Sequence, residues 1–265
     1  MRGLSDGERE RYARQLRLSG FGEEAQLRLK ETSVLVSGVG GVGGAAALYL
    51  AAAGVGHLLL ARGGPLRLED LNRQVLAGED RVGWPAVVEA RNAVRRVNPR
   101  VHVDAVDEPV SAATARRLAR RVEVAVDAAA DFGERDALNR ACVTLRRPMV
   151  EVAVDELSGH LTTFLPGETP CLACLYRLRA EPAPGGPGVL GAAAGVMGCL
   201  AALEVLKVVG GFAAPLAGRM LSADLAGPRF STYPVRRDPR CAVCGPPFPG
   251  AAPRSELAAR RAAPW

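Results

Sequence analysis

SVLVSGVGGVGGAAALYLAAAG, residues 33–54, joins a short apolar run to a glycine turn and then to an alanine-rich helix that closes at Gly54. SVLVS has the length and composition of a buried strand, and the apolar run after the turn is long enough for a helix. A strand that turns through glycine into a helix is the first unit of a doubly wound sheet. Gly38, Gly40, Gly41 and Gly43 occupy the turn. Without side chains there, backbone N–H groups and the helix N-terminus can approach a phosphate closely. Tight strand–helix packing with no ligand would use the same glycines, so the motif by itself leaves both readings open.

Downstream the alternation continues. HLLLA (57–61) reads as a strand, RVGWPAVVEARNAVRRVN (81–98) as a helix, VHVDAV (101–106) as a strand and TARRLARRV (114–122) as a helix. VEVAVDA (122–128), ERDALNRACVTL (134–145) and PMVEVAVD (148–155) extend the pattern by strand, helix and strand, so the sheet is mostly parallel to this point. After Pro148 the rhythm changes: HLTTFLP, a Pro/Gly-rich loop through 179–188, a helix over 189–209 and a hairpin over 218–235. These strands extend the sheet in antiparallel fashion. Upstream, residues 5–18 form a helix capped by Ser5 or Asp6, followed by a second over 23–30. The expectation is a Rossmann-like α/β fold in one nucleotide-binding domain spanning 1–245, with N-terminal helices within 5–30. Residues 246–265 form a tail, read either as a mobile end or as a short helix.

The composition narrows the class. A chain of 265 residues, 48% hydrophobic, can bury a large core. Its net charge of +6 comes from arginines spread along helical segments, while Lys30 and Lys207 are the lysines. No basic run is interleaved with stacking aromatics, which argues against a nucleic-acid partner. The first thirty-odd residues are charged throughout, unlike a secretory signal, and no apolar stretch is read as reaching the length that spans a bilayer. The expected location is therefore cytoplasmic. In that reducing setting the six cysteines are thiols or metal ligands rather than disulfides.

Cys171-x-x-Cys174 and Cys241-x-x-Cys244 form the most specific local signal. Two such hooks offer four thiolates to one zinc ion, and a site filled by four sulfurs is structural because no coordination position is left for substrate. Cys142 and Cys199 lie in apolar helical segments and read as core thiols. His57, His102 and His160 read as isolated residues on strands, with no acidic or cysteine neighbour at ligand spacing. The end of the second strand is where an acidic side chain ordinarily accepts bonds from ribose hydroxyls, and here it carries Arg62. An arginine cannot accept those bonds but can pair with a phosphate, including the 2′-phosphate of NADP.

Together ERYARQLRLSGFGEEAQLRLKETSVLVSGVGGVGG, YLAAAGVG, LNRQVL, VNP, GVLGAAAGVMGCLAALEVLK and the cysteine pairs resemble the ThiF/MoeB/HesA family, the ubiquitin-activating-like adenylyltransferases, over nearly the whole chain. The resemblance implies a homodimer that uses ATP and magnesium to adenylate the C-terminal carboxylate of a ubiquitin-like sulfur carrier or of a peptide, with a Gly-Gly-type C-terminus. It assigns phosphate contacts to Gly38, Gly40, Gly41 and Gly43, further contacts to Arg73 and Gln74, and to Arg14 a reach into the partner subunit's ATP site. Five positions depart from the pattern. Arg62 replaces the ribose-binding acid, Asp70 replaces an asparagine, Ala86 stands where a lysine is expected, and Ala130 stands where a metal-holding aspartate is expected. Gly64 takes a further position that is usually acidic. Asp131, beside the lost aspartate, is the candidate substitute, and Arg73, Asp131 and Arg14 are the candidate catalytic residues.

Joining a carboxylate to the α-phosphate of ATP brings two anions together, and one preorganised electrostatic group is typically worth about 10²–10³ in rate. The sequence therefore leads to a divergent carrier- or peptide-binding protein in which adenylation is lost or much weakened. A rewired, active adenylyltransferase and an enzyme using a phosphorylated cofactor such as NADP in the same cleft are the alternatives.

Overall fold

The structure, a computed structural model, describes residues 3–176 and 188–245. The expectations for most of the Pro/Gly-rich loop and for the tail 246–265 fall outside the described residues. The chain opens with helices α1 (Asp6–Arg11), α2 (Ala13–Leu16) and α3 (Gly22–Glu31), followed by β1 (Ser33–Ser37), α4 (Gly41–Ala53) and β2 (His57–Ala61). Next come α5 (Ala86–Val97), β3 (His102–Val106), α6 (Ala115–Ala119), β4 (Val124–Asp127) and α7 (Phe132–Leu145). The remainder is β5 (Met149–Asp155), β6 (Ser158–Phe164), α8 (Leu172–Leu175), α9 (Gly191–Gly210), β7 (Arg219–Asp224) and β8 (Arg229–Pro234).

The eight strands form one sheet in the order β3-β2-β1-β4-β5-β6-β7-β8. Pairing is parallel from β3 through β5 and antiparallel from β5 through β8, as the change of rhythm after Pro148 implies. Alternate strand residues feed the two faces. Val34, Val36, Leu58 and Leu60 join the core under α3, α4, α5 and α9, while Leu35, Leu59 and Ala125 join the core under α6 and α7. This period-two split places helices on both faces of the parallel part of the sheet.

Three local expectations are corrected. The first helix breaks at Tyr12, whose ring is 4% exposed beneath Gly54 and whose hydroxyl accepts from Asn98 Nδ2 at 2.9 Å. Ser5, not Asp6, is its cap, in a reciprocal box with Glu8. The helix expected from Arg81 starts instead at Ala86, because Pro85 favours a helix start and the preceding residues form a short 3-10 helix (Glu79–Arg81) followed by a turn. Finally, α9 is 20 residues long and apolar enough to cross a membrane by length and composition. Here part of that apolarity serves the interior: Ala194, Met197, Ala201 and Val205 pack into the core, and the inward Glu204 accepts from Thr163 Oγ1 at 2.7 Å, while Val196 and Leu203 are exposed.

A buried ionic group lies across the middle of the sheet. Asp127 and Glu151 are register partners on β4 and β5, both with 0% exposure. Arg135 of α7 reaches between them, 2.9 Å from Glu151 Oε1 and 3.6 Å from Asp127 Oδ2. Burial pushes the Asp127 carboxyl up to about 6; Arg135 opposes the rise and Glu151 adds to it. Since this carboxyl binds its proton more tightly when folded than when unfolded, its contribution to stability is complete below about pH 4 and fades as pH rises through about 6. The change is on the order of 2–3 kcal/mol. Asp127→Asn, which keeps an acceptor for the Ala129 amide, is expected to remove this part of the pH dependence. Urea unfolding of both proteins between pH 4 and pH 7 measures it; parallel stability curves would refute the assignment.

Candidate functional site

The loops leaving β1, β2 and β4 at the C-terminal edge of the sheet enclose a cleft of about 630 Å³, a volume that suits a nucleotide-sized ligand. Gly38, Gly40, Gly41, Arg62, Arg73 and Ala130 are among the residues that line it. The glycines divide by role. Gly38 has φ +77°, and a Cβ there would lie 2.5 Å from the Ala128 carbonyl oxygen, so a side chain is excluded. Gly43 does not line the cleft; a Cβ on it would lie 2.3 Å from the Gly38 carbonyl oxygen, which makes it the contact that seats α4 on the turn. Gly40 caps α4, where an added Cβ would meet Gln74 Nε2 at an ordinary contact distance of 3.7 Å, and it leaves bare backbone toward the cleft at the positive end of the helix.

Arg62 is already engaged. Its Nη2 lies 3.0 Å from Asp70 Oδ2, and its Nη1 donates to Gln74 Oε1. Arg73 Nη2 meets the other oxygen of the same carboxylate at 3.1 Å. Asp70 is 5% exposed and also accepts from the Arg67 amide at 3.1 Å. The positive charge of Arg62 is thus balanced by the negative charge of Asp70. What faces a ligand is two guanidiniums sharing one carboxylate, aimed at the glycine loop rather than left free for a distant phosphate. The distances support an ion pair of the partly buried kind, in which each partner is needed once the other is present.

Ala130 lies on the cleft wall, and its methyl group can bind no metal ion. Ala86, 4% exposed, starts α5 just behind the wall, with its amide donating to the Gly64 carbonyl at 3.3 Å. Asp131 also lines the cleft, but Oδ1 caps α7 by accepting from the Glu134 amide at 3.0 Å. Half-buried Glu134 lies beside it, and its carboxyl is raised by burial and by Asp131. Gln74 lines the cleft through its bond to Arg62, whereas Arg14 is exposed on α2 and does not line it.

Sequence reading missed the acidic residues beneath this site. Asp127 and Glu151 interrupt otherwise apolar strands, and a charge in such a run was the available signal. The histidines are not isolated either. His160 Nε2 lies 2.6 Å from the Tyr176 hydroxyl and 3.5 Å from Glu151. His57 and His102 both lie against Asp104, which β3 brings to the same face. His57 and Asp104 meet across a parallel pair and are distant in sequence, whereas His102 and Asp104 stand two apart on one strand, a spacing that was there to be read.

The four paired cysteines do come together. All are buried, their sulfurs lie within 4.8 Å of one another, and Cys171–Cys241 and Cys174–Cys244 are 3.8 and 3.4 Å apart. A zinc ion with sulfurs at about 2.3 Å places them roughly 3.8 Å apart, so the arrangement could hold one. Cys142 is fully buried and its thiol is pushed far up by burial, which leaves no nucleophile at neutral pH. Burial raises Cys199 as well.

Two outcomes test this geometry. Asp70→Asn leaves Arg62 and Arg73 without their shared carboxylate and is expected to cost about 1–3 kcal/mol while tightening the binding of a polyphosphate. Denaturant melts and calorimetry with tripolyphosphate read both effects, and weaker anion binding would refute the neutralising role. Cys244→Ser is expected to abolish one equivalent of bound zinc, measured by elemental analysis, and to cost more than about 4 kcal/mol. Wild-type protein that takes up no zinc would refute that reading.

Comparison with known proteins places this geometry. The ThiF family model matches residues 12–243. Protein HesA, vegetative, of Trichormus variabilis is 50% identical over 242 residues, covering 91% of each chain. The adenylyltransferase and sulfurtransferase MOCS3-1 of Zea mays is 38% identical over 89% of this chain, which spans 51% of that protein. Among solved structures, E. coli MccB with MccA-N7isoASN superposes with a TM-score of 0.80 at 22% identity, covering 92% of this chain and 76% of that one. These are likenesses in sequence and, for MccB, in fold. By its family match and its HesA relatives, the chain belongs to the ThiF family.

Proposed function

We propose that this protein binds the C-terminus of a small ubiquitin-like carrier or of a peptide beside a nucleotide cradle, and that ATP-dependent adenylation there is lost or much weakened. The observation that carries the proposal is the composition of the cleft: Ala130 on its wall, Ala86 behind it, and Asp70 neutralising part of the charge of Arg62 and Arg73. Acyl-phosphate chemistry needs cations where charge develops, and two side chains that would supply a cation or hold one end here in methyl groups. The glycine backbone and the N-terminus of α4 still suit a phosphate.

The kind of ligand is supported by likeness. Solved MccB structures are described with ATP and with MccA peptides, and MOCS3-1 is named an adenylyltransferase and sulfurtransferase. We read the working unit as a homodimer in which the exposed Arg14 serves the partner's cleft, held together in a reducing, cytoplasmic setting that keeps the Cys171–Cys244 cluster available for zinc. Asp131 and Glu134 lie side by side at the cleft and are the groups an active, rewired enzyme would use for magnesium. NADP recognition through Arg62 is disfavoured because that guanidinium is paired.

Pyrophosphate exchange separates these readings. The unmodified protein, supplied with ATP, magnesium and a carrier ending in Gly-Gly, is expected to exchange very slowly, and Ala86→Lys with Ala130→Asp to raise exchange by about 10²-fold or more. Robust exchange in the parent that Asp131→Ala abolishes would establish the rewired enzyme instead. Calorimetry with the carrier alone tests binding without chemistry, and NADPH in the same assay tests the cofactor alternative.

A further inference from the structure

At the edge of the sheet opposite the cleft, β2 and β3 begin side by side with His57 and His102 as register partners. Asp104, two residues along β3, shares their face, while Val103 between them points into the other core. His57 Nε2 lies 3.2 Å from Asp104 Oδ2, and His102 Nε2 lies 3.1 Å from Asp104 Oδ1. The ring centroids are 5.0 Å apart. Donor atoms from all three side chains lie within 4.8 Å of one another.

We propose that His57, His102 and Asp104 form a binding site for a late first-row divalent cation, separate from the cysteine cluster and from the nucleotide cleft. Two imidazole nitrogens and one carboxylate oxygen are the donor set that zinc, nickel, copper and ferrous iron accept, and they leave coordination positions open. Metal–ligand bonds near 2.1 Å hold neighbouring donors roughly 3–3.5 Å apart, close to the spacings between Asp104 and each ring. Arg121, at the end of the α6 segment, donates to Asp104 Oδ2 and orients the carboxylate while its other oxygen faces His102. His102 is 70% exposed, which gives an ion a path from solvent. Both ligand-bearing strands lie at the β3 end of the sheet, so the ion would staple the edge strand to its neighbour. The role is to hold that edge, with no part in chemistry at the cleft.

The chain has three histidines, so imidazole NMR signals report the site directly. The full-length protein is first equilibrated with zinc to satisfy the cysteine cluster, then washed with a weak chelator and titrated with nickel(II). His57 and His102 are expected to vanish at stoichiometric nickel while His160 persists. His102→Gln and Asp104→Asn, both at a partly solvent-exposed edge, are expected to weaken nickel binding by more than the ~100-fold upper end known for the loss of outer-shell partners. The proposal is overturned if His57 and His102 survive a large excess of nickel, if all three signals fade together, or if Asp104→Asn binds as the parent does. A fault in the cysteine-cluster reading would alter the zinc content but not the pattern among these signals.

Discussion

The close approach of Gly43 to the Gly38 carbonyl governs the arrangement of this molecule. Any β-carbon at Gly43 would overlap that oxygen, and one at Gly38 would overlap the backbone of Ala128 at the end of β4. Two backbone segments and a helix therefore meet at van der Waals distance in a space that holds no side chain. At this meeting point β1 and β4 lie side by side within the parallel part of the sheet, α4 covers one face, and the loops after the strands surround the cleft. The same absence of side chains that permits the packing also leaves the N-terminus of α4 bare to a phosphate. Packing and anion binding cannot be separated at this turn, which is why the motif alone does not reveal whether a ligand remains.

Charge decides what the cleft can do. Asp70 touches both Arg62 and Arg73, and a guanidinium pair sharing one carboxylate presents a weaker field than two free cations. Within the cleft, the Asp70 carboxylate is occupied in holding the two arginines.

Much of this architecture was legible because it rests on local pattern. SVLVS, HLLLA and the alternating segments after them became strands and helices at nearly the positions read from periodicity, and the antiparallel extension followed the change after Pro148. The cysteine hooks were legible because C-x-x-C spacing is itself geometric. The ion pairs were not. Arg62 with Asp70, Arg135 with Glu151 and His57 with Asp104 join residues from different elements, and only the register of the sheet and the path of the loops bring them within reach. At α9 the helix was legible but the length of its apolar run was not, and that run packs against α4 and the sheet.

Helix α7 links the parts that sequence shows separately. Its first turn is capped by Asp131 at the cleft, its next turn sends Arg135 between Asp127 and Glu151, and Asn139 one turn further accepts from the Leu172 amide at 3.1 Å. Leu172 belongs to the turn that carries Cys171 and Cys174, and the same segment ends at Tyr176, whose hydroxyl meets His160 and Glu151. The cysteine cluster therefore anchors one end of a chain of contacts whose other end forms the cleft wall. A shift in the cluster would move Tyr176 and Asn139 against a buried, partly satisfied ionic group, where small displacements are costly because unpaired charge has no water to turn to. The cysteine cluster is thus connected to the cleft wall through α7 and Tyr176 while supplying no lining residue to it.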